Sequence, residues 1–331
     1  MTHRYLANDP DDFVIEAAEG LTLASPDIAL ERDPLFLRRK TLAAGKVGIV
    51  SGGGTGHEPL HAGFVGEGML DAAVPGAVFA SPTAGQVAAA TRAVDAGAGV
   101  LQIIKNYTGD VLNFTIAAEF CRDEGVDVGQ VLVDDDVATD IAGSRVGRRG
   151  TAATLVVEKL CGAAAQSGMS LAELVDLGAE VVSRTRSMAL ALEACTHPGT
   201  GKRSFELAAD EVEFGVGIHG ERGRRRIAFD TADALVAQLV DPLLEALHLG
   251  VTDGVIAVVN GLGATHLTEQ YVVTRAVHRE LTKHGVRVDR TLTGSFVTAL
   301  DMSGVSITLT RADERLLELW DAPVKTPALT W

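Results

Sequence analysis

The stretch from Lys46 to His61, KVGIVSGGGTGHEPLH, decides how the chain is read. Its apolar run, Val47 to Val50, suits a buried strand, and it empties into a glycine loop made by Gly52, Gly53, Gly54 and Gly56. Glycine tolerates positive φ and lets backbone N–H groups come close to a small polar ligand. A helix is expected next, from about Glu58 to Gly68, with His57 at its entrance and His61 within it. His57 therefore stands where a ligand would sit.

Working outward, the apolar run Ala72 to Phe79 reads as a second strand. Ser81 and Pro82 suit the N-cap and first position of a helix over Ala84 to Asp95, which Gly97 stops. Gly99 to Ile104 is a strand ending in KNYTGD at positions 105 to 110, and a helix from Val111 to Glu124 closes at Gly125. Val128 to Val133 is another strand, ending in Asp134, Asp135 and Asp136. Upstream, Asp11 and Asp12 suit the cap of a first helix from Phe13 to Leu23. Strands alternating with helices through short loops predict an α/β domain, with a mostly parallel sheet covered by helices on both faces. Ligands of such sheets bind at the carboxyl ends of the strands. Those ends carry His57, Lys105 with Asp110, and the triple aspartate.

Helices follow over about Gly150 to Ser167 and Leu171 to Arg184. A composition shift comes at Ser187 to Ser204, where ACTHPGTGK at 194–202 reads as a loop between units, and the boundary near Arg184 predicts an N-terminal domain over 1–184 and a C-terminal α/β domain over 185–331. In the second, a strand from Val212 to Ile218 ends in His219. A helix from Ala232 to Leu247, a strand from Gly254 to Val259 and a helix from Thr268 to His284 come next. Strands near Val286 to Leu292 and Val305 to Leu309 and a helix from Arg311 to Trp320 complete it.

Composition narrows the function. The chain has 331 residues, is 47% hydrophobic and carries a formal net charge of −15, so it can build two cores and repels nucleic-acid backbones and anionic membrane surfaces. Its three cysteines have no CxxC spacing, and neither a signal core nor a spanning segment is visible. A cytoplasmic protein is the expectation.

Several motifs match in form and fail in mechanism. His57-Glu58-Pro59-Leu60-His61 fits HExxH, but a zinc site needs both histidines on one face of an established helix, and Pro59 is tolerated only in a first turn. GGGTGH lacks the Gly-Lys-[Ser/Thr] ending of a P-loop, and the third glycine of GxGxxG is replaced by His57. The triple aspartate suggests magnesium, yet adjacent side chains at a strand end alternate in direction, which favours a solvated turn or a helix cap. No metal is assigned to this chain. Lys105 and Asp110 read equally as a surface pair at a helix start or as an oxygen ligand and a base. His219, between glycines in GVGIHGE, reads equally as a satisfied histidine or as a nucleophile for a carbonyl carbon. Arg145, Arg148, Arg149 and the run Arg222 to Arg226 read as a solvated face or a docking surface for an anionic partner.

Taken together, SGGGTGHEPLHAGFVGEGMLDAAVPG, IIKNYTGDVLNF, VDDDVA, GRRG, EFGVGIHGE and LWDAPVKTPAL resemble the dihydroxyacetone-binding K subunit of dihydroxyacetone kinase. The resemblance runs in order from about residue 12 to residue 331. It implies two α/β domains, a homodimer, and a histidine that captures the ketone as a hemiaminal, which falls on His219. The family's other substrate contacts fall on Gly54, His57, Lys105 and Asp110, with His57 and Asp110 acting on the hydroxyl proton. The opening stretch is then one wall of the site, completed by the second domain. Lys325 stands where the family's tail motif is expected to carry histidine.

By the same resemblance this chain binds no cofactor of its own. A separate nucleotide-binding L subunit carries ATP, or ADP recharged by a phosphotransferase-system protein, together with magnesium. A ketose-sensing co-regulator that binds dihydroxyacetone without phosphorylating it is the alternative. Retention of both His57 and Asp110 favours the kinase.

Overall fold

The computed structural model describes residues 5–140, 146–251 and 253–331. Arg145 lies outside them. The chain is α/β, and its contacts divide it into two compact units. One comprises 6–133, 154–181 and 318–331; the other comprises 1–5, 134–153 and 182–317. The units thus interleave along the chain, where the sequence reading places one boundary near Arg184.

The first unit contains α1 (Phe13–Ala24), β1 (Ile28–Arg32), β2 (Leu35–Arg39), β3 (Gly48–Thr55), β4 (Ala72–Val78), α2 (Ala84–Val94) and β5 (Val100–Lys105). It continues through α3 (Thr108–Asp123), β6 (Val128–Val133), α4 (Ala153–Gln166) and α5 (Leu171–Ser183). Its sheet runs β1-β2-β4-β3-β5-β6. The pairs β3–β4, β3–β5 and β5–β6 are parallel, whereas β1–β2 and β2–β4 are antiparallel. Val128 of β6 joins the core formed with α2 and α3, while its neighbours Gly129 and Val131 face α5. Helices therefore cover both faces, as the alternation of elements predicts.

Two local expectations change. The glycines after Val50 are not a loop: β3 continues through Thr55, and all of its residues are buried. Of this group only Gly56 has positive φ, at 108°. The others are needed because neighbours crowd them, since a Cβ on Gly52 would lie 2.5 Å from the Val74 carbonyl oxygen. The helix expected from Glu58 is instead a series of turns with a short 3-10 segment, Ala62–Phe64. Farther on, Thr83, not Ser81, caps α2, in a capping box with Gln86.

The C-terminal tail belongs to this unit. Lys325 N donates to Glu67 O at 2.9 Å, Glu67 N donates back to Lys325 O at 3.0 Å, and Ala328 N donates to Gly63 O at 3.0 Å. Lys159 on α4 donates to Leu319 O at 2.7 Å and lies over the Trp331 ring. Such fastening explains why residues far apart in sequence share one unit.

The second unit contains β7 (Thr185–Glu193), β8 (Glu211–Phe214), β9 (Arg225–Ala228), α6 (Ala232–Leu247), β10 (Gly254–Gly261), α7 (Leu267–Lys283), β11 (Arg287–Gly294) and β12 (Ser303–Arg311). The sheet order is β11-β10-β12-β7-β8-β9. Only β10–β11 is parallel among its pairs. Leu235, Leu239 and Leu243 of α6 and Val273 and Val277 of α7 pack on Val255, Ala257 and Val259 of β10. Residues 194–202, read as the loop, hold turns and an isolated bridge at Thr196; they follow strand β7, which the sequence reading did not assign and which pairs along its length with β12. Alanines at 189 and 191 weaken its local strand signal, and burial between two neighbouring strands overrides that weakness.

Candidate functional site

In the first unit, polar groups gather at the carboxyl ends of β3 and β5. Lys105, the last residue of β5, is fully buried, and its Nζ donates to the Gly52 carbonyl oxygen at 3.1 Å. The Lys105 Nζ to His61 Nε2 distance is 2.6 Å, and His61 Nδ1 lies 2.6 Å from Glu158 Oε1. Asp110, in the first turn of α3, places Oδ2 3.9 Å from Lys105 Nζ. Gly53 makes room for this arrangement, because a Cβ there would fall 2.1 Å from Nζ and 3.5 Å from His61 Nε2. Gly54 likewise admits the Phe79–Ala80 backbone, with its notional Cβ 2.7 Å from Ala80 N. His57 is fully buried and stacks on Phe79 with ring centroids 5.3 Å apart.

Burial controls the electrostatics here. It pushes the Glu158 carboxyl up to about 8, against Ser51 and the charge of Lys105. His61 is held well below its ordinary value by burial, then by Lys105 and His57. Burial also lowers Lys105, opposed by Asp110 and Glu158. All three shifts favour neutral forms, as expected where ions are stripped of water.

The second unit holds His219. Gly215, with φ of 82°, ends β8, so His219 stands in a turn and not at the end of a strand reaching Ile218. Its backbone N donates to Glu221 Oε2 at 2.9 Å, and its Nδ1 lies 3.2 Å from Glu221 Oε1. A Cβ on Gly217 would fall 2.0 Å from Glu221 Oε2 and 2.5 Å from an Arg149 guanidinium nitrogen. Burial works to raise the Glu221 carboxyl, but the hydrogen bond from His219, its charge and that of Arg149 outweigh it and hold the group at about 2. Glu221 is therefore a carboxylate aimed at Nδ1.

The three aspartates diverge. Asp134 pairs with Arg148 at 3.0 Å, and Asp136 accepts from Arg149 Nε at 2.8 Å. Asp135 accepts from Thr151 N, Thr151 Oγ1 and Ala153 N at 2.6, 2.7 and 3.0 Å. Their carboxylates serve as helix cap and arginine partners, with Arg149 also donating to Gly215 O at 2.8 Å.

Of the residues singled out in the sequence, Lys105 and Asp110 come together, and Gly54 and His57 stand on the adjoining strand end and turn. Three partners escaped that reading: Glu158, Glu221 and the engagement of His61 with Lys105. A signal existed for the first, since Glu158 follows LVV and precedes Lys159 in an otherwise apolar helix. For Glu221 the signal was a carboxylate two residues beyond a histidine in a glycine-bracketed turn.

Residues 19–328 match the Dak1 domain. This chain belongs to the Dak1 family. The Dak1 chain is 45% identical to the dihydroxyacetone-binding subunit DhaK of the PEP-dependent dihydroxyacetone kinase of Escherichia coli K12, over 98% of this chain and 99% of that protein. It superposes on the dihydroxyacetone kinase of C. freundii, solved with AMP-PNP and Mg2+, with a TM-score of 0.91 and 36% identity; the match covers 99% of this chain and 61% of that one. A dihydroxyacetone kinase operon co-activator structure matches with a TM-score of 0.90 and 36% identity, over 95% of this chain and 96% of that one. The two-part α/β architecture and the family read from the motifs thus agree with the Dak1 match, whose relatives include both kinases and a co-activator. No helix among the described residues is long and apolar enough to cross a membrane.

Proposed function

We propose that this chain is the substrate-binding catalytic subunit of a dihydroxyacetone kinase, capturing dihydroxyacetone or a related short ketose on His219. The observation that carries this reading is the double engagement of His219 by Glu221, at its backbone N and at Nδ1. With Nδ1–H donated to a carboxylate, the lone pair for attack is on Nε2. The Nε2–C bond forms as the carbonyl π bond breaks, and its electron pair moves to oxygen. Oxygen gains one proton and Nδ1 gives one up, so the hemiaminal has the mass of protein plus intact ketone. Glycerol, without a carbonyl carbon, cannot make this bond, which gives a selectivity that hydroxyl contacts alone supply poorly.

Gly54, His57, Lys105 and Asp110 complete the proposed substrate contacts. Lys105 serves a ketose oxygen, and His57 with Asp110 takes the proton of the terminal hydroxyl as phosphoryl transfer begins. The covalent link also reduces the entropy lost in aligning that hydroxyl. The phosphoryl donor, ATP or ADP with magnesium, belongs to a separate nucleotide-binding L subunit, with a phosphotransferase-system protein as a source of phosphate. The chain acts as a homodimer in the cytoplasm.

Intact-mass spectrometry of wild type and His219→Ala with dihydroxyacetone, glycerol and a tetrulose tests the capture step. An adduct only with the carbonyl compounds, lost in His219→Ala, is expected; an adduct that survives the substitution refutes it. The match to a co-activator along nearly the whole chain favours a second reading, a ketose-sensing co-regulator. Turnover with a cognate L subunit and donor decides between them, since capture without turnover favours the sensor.

A further inference from the structure

Lys105, His61 and Glu158 form a continuous buried chain, with both links at 2.6 Å. It is built from three elements, because Lys105 ends β5, Glu158 lies in α4, and His61 lies in the turns after β3. All three side chains are shielded from solvent: Lys105 and Glu158 are fully buried and His61 is 5% exposed. The charged or titratable groups acting on them are Asp110 from α3 and His57 from the segment after β3. A neutral imidazole between two such groups must accept at one nitrogen and donate at the other.

Two protonation patterns satisfy that rule. In one, Lys105 is an ammonium donating to Nε2, and His61 donates from Nδ1 to a Glu158 carboxylate. In the other, Glu158 is a carboxylic acid donating to Nδ1, and His61 donates from Nε2 to a Lys105 amine. Both patterns hold the same number of protons. The second becomes the first when the Glu158 proton moves to His61 Nδ1 and the His61 Nε2 proton moves to Lys105 Nζ. No solvent proton is needed, and the imidazole is neutral before and after.

We infer that Glu158 is a buried proton store for Lys105, delivered through His61, and that both are positioning residues which charge Lys105 when negative charge develops on a ketose oxygen. The inference rests on the proposed role of Lys105 at that oxygen. The burial-driven shifts of all three groups favour the uncharged pattern at rest. Charge separation is then worthwhile only when a developing alkoxide lies beside Lys105, so the stabilisation is greater in the transition state than in the ground state. A permanent ammonium would bind the ground state as well and gain less.

The tautomer of His61 reports the pattern directly. Two-bond proton–nitrogen correlation spectra of the wild type, from pH 5.5 to 9, are expected to show a neutral imidazole protonated at Nε2 in the free protein. Addition of dihydroxyacetone is expected to leave Nε2–H dominant, because the oxygen of the adduct carries a proton and the alkoxide is only transient. A fixed Nδ1–H tautomer throughout, or an imidazolium that forms near the ordinary histidine range, overturns the relay. The spectra need no substitution, so they stand even if variants fold poorly. As a second measurement, Glu158→Gln removes the stored proton while keeping the volume. With a cognate L subunit, its kcat per captured ketone is expected to fall about 10²-fold, with a smaller change in KM. An unchanged kcat and pH profile refutes the store. A wild type that captures no ketone defeats the functional reading, while the free-protein tautomer still decides the relay.

Discussion

Two histidines in this chain each face a glutamate through Nδ1, and their surroundings drive the two pairs in opposite directions. His61 and Glu158 are sealed in the first unit at 2.6 Å, where burial raises the carboxyl to about 8. In the second unit His219 and Glu221 meet at 3.2 Å in a partly exposed turn, and the charges of His219 and Arg149 keep the carboxyl at about 2. The same pair of side chains is thus a proton store in one place and a fixed anion in the other. What separates them is access to water and a neighbouring guanidinium, not residue type.

The comparison breaks most severely at Gly53. Gly53→Ala places a Cβ where Lys105 Nζ now lies, 2.1 Å away, so the lysine must leave His61. A misplacement of this size is expected to lower kcat by more than about 10²-fold. Overpacking is expected to cost about 1–3 kcal/mol in denaturant unfolding. Wild-type kinetics in this variant would show that Lys105 has no part in turnover.

Glu221→Gln breaks the other pair. The amide cannot hold Nδ1–H as a carboxylate does, and the rate of adduct formation, followed by mass spectrometry, is expected to fall about 10- to 100-fold. A rate equal to wild type would remove Glu221 from the capture step.

The pairs also differ in how they link stability to pH. Glu158 is raised above its ordinary value of 4.5, so the folded state holds its proton more tightly than the unfolded chain does. Its contribution is full below that value and is lost as pH rises towards about 8. Glu221 is depressed, so its contribution is present above 4.5 and is lost as pH falls towards about 2. Unfolding curves across pH are therefore expected to flatten on the alkaline side in Glu158→Gln and on the acid side in Glu221→Gln. The same slope change in both variants would contradict the contrast.

The smallest effect is expected at Asp134. Its pairing with Arg148 is partly exposed, and Asp134→Asn should change stability by less than about 1 kcal/mol in thermal unfolding. A larger loss would mean that the second unit depends on this carboxylate as much as on the buried Asp135.

Much of this was legible along the chain. Short apolar runs alternating with helical segments determined the first α/β unit and its mostly parallel sheet, because strand and helix periodicities are local properties. Ordered motifs from Gly52 to Leu329 determined the family. Strand β7 was not legible, since its alanines carry little strand preference and only its pairing with β12 makes Thr185–Glu193 extended. The glycines after Val50 announced a special backbone, but sequence could not tell a loop from a strand crowded by Val74, Phe79 and Lys105. The paired carboxylates were hidden for the same reason. Glu158 is 97 residues from His61, and Arg149 is far along the chain from Glu221, so their fields exist only once folding brings them together and removes the water between them. Residue types and their order determined which chemistry was available; tertiary burial decided which glutamate keeps its proton.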